Sequence, residues 1–73
     1  MKILVAEPIA TPGLRLLQQQ PGWEVIQSTP KEFQQHLKGA DALIVHNAVR
    51  VNAAILQQAD NLRVIGRAGV GVD

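Results

Sequence analysis

Four short β-rich runs alternate with stretches in which apolar residues recur at helical spacing. Ile3-Leu4-Val5-Ala6 is continuously apolar and stops at Glu7-Pro8, the pattern of a strand buried on both faces. Thr11-Pro12 reads as an N-cap followed by proline at the first helical position, opening a helix that carries Leu14, Leu16 and Leu17. Pro21-Gly22 ends it. Trp23 to Ser28 alternates imperfectly and predicts a second strand at a sheet edge, with Trp23 as partial core or edge covering. Thr29-Pro30-Lys31-Glu32 has the spacing of a capping box, which predicts a second helix with Phe33 and Leu37 on one face and His36 on its surface. Gly39 closes that helix where a left-handed residue is favoured. Ala42-Leu43-Ile44-Val45 is the third strand. Asn52 caps a third helix whose Ile55, Leu56 and Ala59 face the sheet, and Leu62-Arg63-Val64-Ile65 is the fourth strand, ending at Gly66.

The resulting β-α-β-α-β-α-β series predicts an α/β fold with a parallel sheet. Right-handed crossovers put the first helix on one face and the other two on the opposite face, in strand order 2-1-3-4. That order begins the flavodoxin-like series 2-1-3-4-5, so the chain is expected to be a partial flavodoxin-like sheet without the last strand and its helices. Strand 4 is then a bare edge and the sheet face beside the first helix is half covered, a combination that favours a homodimer.

Composition narrows the classes. Apolar residues make up 47% of the 73 residues and charged residues 18%, which is globular rather than disordered. Seven Lys/Arg stand against six Asp/Glu without a basic run or an aromatic platform, so nucleic acid is not indicated. There are no cysteines, which excludes disulfides and thiolate metal sites and fits a reducing compartment. No apolar stretch approaches the roughly 20 residues of a membrane span, and a cytoplasmic location is expected.

Ligands of open parallel sheets sit beyond the carboxyl ends of the strands. Two segments fall there: His46-Asn47-Ala48-Val49-Arg50 and Arg67-Ala68-Gly69-Val70-Gly71. Glycines let the backbone approach an anion and present N–H groups to it, and an adjacent arginine adds a fixed cation. A plain turn with solvated Arg67 is the alternative at this point. Gly69-Val70-Gly71 does not complete the G-x-G-x-x-G dinucleotide fingerprint within the sequence, and the first strand-to-helix turn, Glu7 to Thr11, contains no glycine. No cofactor-binding residue is therefore assigned, and no partner for His36 in metal binding is evident, so no metal ligand is assigned either.

Gly66-Arg67-Ala68-Gly69-Val70-Gly71-Val72-Asp73 resembles the R-A-G-x-G-x-D segment of D-2-hydroxyacid dehydrogenases, most closely the branch acting on 3-phosphoglycerate. The Lys2-Ile3-Leu4-Val5 opening, Asp41 to Val45, Val51-Asn52 and Leu62 to Ile65 extend the similarity along the chain. In that family a flavodoxin-like substrate domain is interrupted by a Rossmann domain that binds NAD and holds the catalytic Arg, Glu and His. The resemblance thus implies that residues 1–73 are the N-terminal part of the substrate-binding domain of an oxidoreductase of serine biosynthesis, inactive by themselves. It also implies a substrate wall made of His46, Asn47, Arg50, Arg67, Gly69, Val70 and Gly71. His46 stands where many of these enzymes carry arginine, and Arg50 supplies a charge nearby. Two other readings are a non-enzymatic half-domain that folds as a symmetric homodimer, and a flavodoxin-like binding or signalling domain. For the latter, Glu7 resembles part of a receiver's acidic pocket, but His46-Asn47 occupies the place of the phospho-accepting Asp.

Overall fold

The computed structural model describes residues 1–46 and 48–67. Its elements are β1 (Lys2–Val5), α1 (Thr11–Gln18), β2 (Glu24–Gln27), a one-turn 3-10 helix η1 (Phe33–His36), β3 (Ala42–Val45), α2 (Ala53–Gln58) and β4 (Val64–Arg67). The strands form one parallel sheet in the order β2-β1-β3-β4, the first four places of the flavodoxin-like series.

Side chains of a strand alternate between faces, and the core divides accordingly. Leu4, Ala6, Leu43 and Val45 pack with Phe33, Leu37, Ile55 and Ala59 on the face covered by η1 and α2. Ile3, Val5 and Ala42 lie on the other face with Leu14 and Leu17 of α1. The crossover expectation therefore holds for all three helical segments.

Local boundaries differ in instructive ways. Ala10, in extended conformation, is the N-cap of α1 and makes no side-chain cap, so Thr11 already belongs to the helix. The second helical segment is a single 3-10 turn and not an α-helix. The Thr29 hydroxyl accepts from the Glu32 amide at 3.2 Å, but Glu32 itself, at φ −115°, starts no α-helical turn. A segment bounded by Pro30 and Gly39 has too few residues to repay helix nucleation, and burial of Phe33 and Leu37 fixes it instead. His36 is half-buried there, and Gly39 has the expected positive φ of 86°. Trp23 is 38% exposed and lies outside the core.

Asn52 caps α2 as expected, its Oδ1 accepting from the Ile55 amide at 3.0 Å. Leu56, expected to face the sheet, is 48% exposed. A helix this short points only one narrow stripe inward, and Ile55 with Ala59, four residues apart, fills it. β4 starts two residues later than the apolar run suggests. The Asp41 carbonyl accepts from both Arg63 and Val64, which sets where pairing begins, while Leu62 packs against the core before the strand. Gly66 and Arg67 are thus strand residues, and a Cβ on Gly66 would lie 3.1 Å from Ile44 Cδ1.

Asp41 acts at the amino ends of the strands: its carboxylate accepts from the Lys2 amide at 2.7 Å and its own N–H donates to the Lys2 carbonyl. Glu7 does the corresponding work at the carboxyl ends.

Candidate functional site

The chain steps from β1 outward to β2, then back past β1 to β3, so the topological switch point lies between β1 and β3. Glu7 follows β1 there. It is 4% exposed, a degree of burial that a carboxylate tolerates only when its oxygens are hydrogen-bonded. Its Oε2 accepts from the amides of His46 (2.7 Å) and Val49 (2.9 Å), and Oε1 from the amide of Ala48 (2.8 Å). The loop leaving β3 is consequently wrapped around an acid supplied by β1. Sequence reasoning weighed Glu7 only as a receiver-type acid; the signal available was a charged residue directly after a fully apolar strand.

Beyond this latch, between the ends of β3 and β4, lies an open cleft of about 320 Å³ lined by Val45, His46, Val49, Arg50, Val51 and Arg67. Arg67 is the register partner of Val45, and its Nε donates to the His46 carbonyl at 3.1 Å. Arg50 and Arg67 are both exposed and His46 is half-buried. Guanidinium groups retain charge at any relevant pH and match carboxylate or phosphate oxygens in pairs, so the cleft suits a small anion. Of the residues singled out from sequence, His46, Arg50 and Arg67 meet in this one cleft. Asn47, Gly69, Val70 and Gly71 lie outside the described residues.

The turn after β1 contains no glycine, and the switch point holds the Glu7 carboxylate with the loop amides that donate to it.

Residues 3–73 match the family described as D-isomer specific 2-hydroxyacid dehydrogenase, catalytic domain. Similar proteins include the D-3-phosphoglycerate dehydrogenases of Methanocaldococcus jannaschii, 38% identical over 100% of this chain and 14% of that protein. That of Archaeoglobus fulgidus is 40% identical over the same shares, and that of Bacillus subtilis 32% identical over 99% of the chain and 14% of its length. The chain thus spans about 14% of the length of these relatives, within their N-terminal region. With a match over nearly its whole length, this chain belongs to the D-isomer specific 2-hydroxyacid dehydrogenase family of oxidoreductases.

Proposed function

We propose that residues 1–73 form the N-terminal part of the substrate-binding domain of an NAD-dependent dehydrogenase acting on 3-phosphoglycerate or a similar anionic 2-hydroxyacid. The observation that carries this reading is the cleft at the carboxyl ends of β3 and β4, flanked by Arg50 and Arg67 with His46 between the strands' ends. Two guanidinium groups lining one open cleft favour an anionic substrate carrying a carboxylate and a phosphate. NAD would accept the hydride when bound, and none of the described residues is assigned to holding it. The work of these residues is to bind and orient the hydroxyacid. A cytoplasmic enzyme of serine biosynthesis is the corresponding biological setting.

The test is a titration of the isotope-labelled 73-residue chain with D-3-phosphoglycerate, followed by NMR. Resonances of His46, Arg50 and Arg67 are expected to shift together and saturably, NAD is expected to leave them unmoved, and the chain by itself is expected to reduce no NAD. Saturable NAD binding, or phosphoglycerate shifts no larger than those of an ionic-strength-matched chloride control, would overturn the reading.

A second reading concerns assembly. Val64 is 55% exposed and Ile65 45%, on a strand that among the described residues pairs only with β3. Such an edge favours a homodimer in which two β4 strands adjoin. Light scattering across a concentration series tests it; a monomer at every concentration would sink it.

A further inference from the structure

In open parallel sheets the crevice at the switch point ordinarily receives the ligand. Here that crevice contains the chain's own carboxylate, and among the described residues the backbone N–H groups of His46, Ala48 and Val49 converge on it from the loop after β3. Convergent N–H groups of this kind form an anion-binding concavity. We propose that Glu7 is a positioning residue: a resident anion that fixes both cationic walls of the neighbouring cleft.

The connection runs through the His46 backbone. Its N–H donates to Glu7 Oε2 at 2.7 Å, while its carbonyl accepts from Arg67 Nε at 3.1 Å. The acid after β1 and the arginine ending β4 are therefore indexed to the same residue. With Nε engaged by the carbonyl, the terminal NH2 groups of Arg67 are the edge with which the guanidinium meets an anion. On the other side, Val49 donates to Glu7 at 2.9 Å, and Arg50 is the next residue along the chain. Each arginine is thus tied to Glu7 through the loop backbone.

The chemistry of the side chain at position 7 is correspondingly constrained. A carboxylate is acceptor-only on both oxygens, which suits amides arriving at Oε1 from Ala48 and at Oε2 from His46 and Val49. A carboxamide of the same shape would turn an NH2 group against at least one of those donors. Aspartate retains the charge but falls one methylene short. The order expected for loop placement is thus glutamate, then aspartate, then glutamine.

The ligand named here rests on the function proposed above, so the experiment has one readout with ligand and one without. In the ligand-free chain, Glu7→Gln is expected to move the amide proton shifts of His46, Ala48 and Val49. It is also expected to accelerate solvent exchange of the Arg67 Nε–H, a remote group that a purely local packing role would not affect. With ligand, Glu7→Gln is expected to raise the Kd for D-3-phosphoglycerate about tenfold, a misplacement-sized effect. Leu17→Ala, on the opposite sheet face, serves as the destabilised control and is expected to stay within about twofold of the parent, under 0.5 kcal/mol. Formate added to Glu7→Ala is expected to restore the three amide shifts and the Arg67 exchange rate, showing that the vacated site takes a carboxylate. Unchanged Arg67 Nε–H exchange in a folded Glu7→Gln chain would overturn the proposal. So would an affinity loss equal to that of Leu17→Ala. If the parent chain binds no phosphoglycerate, the substrate reading fails while the Arg67 exchange measurement still decides the role of Glu7.

Discussion

The two faces of the sheet are built to different standards. Beneath η1 and α2, ten of the described residues are buried in one cluster, and Leu4, Leu37 and Leu43 are wholly buried. Beneath α1, among the described residues, only Ile3, Val5 and Ala42 are buried, and α1 itself contributes no buried residue. Leu16 on that helix is 62% exposed. Since hydrophobic stabilisation follows the apolar area removed from water, most of it must come from the first face. The difference shows that a regular strand order does not imply an evenly covered sheet. It also shows that the cleft is anchored on the well-packed side, where Val45 and Val49 join the large cluster.

The sharpest way to break this asymmetry is Leu43→Ala. It removes a side chain with no exposed surface, at an expected cost of about 2–5 kcal/mol. A chain of this length holds little more than that in total, so a cooperative thermal transition followed by circular dichroism is expected to be lost or shifted far down. Leu17→Ala is the matching change on the α1 face. Leu17 is half-buried, and about 1–2 kcal/mol in urea unfolding is expected from the area it surrenders. Equal losses at the two positions would refute the difference between the faces. The smallest effect is assigned to Asn52→Ala, which deletes the cap accepted from Ile55 and should cost about 1 kcal/mol. Its expected signature is faster amide exchange confined to α2, which would show how much of the better face depends on that helix end.

Much of this arrangement was legible in the residues. The alternation of Ile3 and Val5 with Leu4 and Ala6 is what sends them to opposite faces, and right-handed crossovers supplied the strand order. Asn52 and Gly39 announced their roles because caps and left-handed turns depend on one residue's own chemistry. What sequence pattern missed was set by partners far along the chain. β4 begins where the Asp41 carbonyl receives Arg63 and Val64, not where the apolar run begins. η1 is held by burial of Phe33 and Leu37 although its capping signal predicts a longer α-helix. For the cleft, arginines and histidine at strand ends were visible as candidates, and they do come together. The acid beneath them was not recognised, because its donors are backbone groups about 40 positions away that no side-chain motif records.

The two acids at opposite ends of the sheet also act as a vernier. Lys2 and Glu7 are separated by the same number of residues as Asp41 and His46, and each acid bridges β1 to the β3 segment. Sliding β3 by one residue would pull the Lys2 amide from Asp41 and the His46 amide from Glu7 in the same movement. It would also turn Leu43 out of the large cluster, because alternate residues face opposite ways. Misregistered pairings are therefore penalised at both ends and in the middle together, which leaves the parallel pairing of Ile3, Leu4 and Val5 with Ala42, Leu43 and Ile44 with one tolerable alignment.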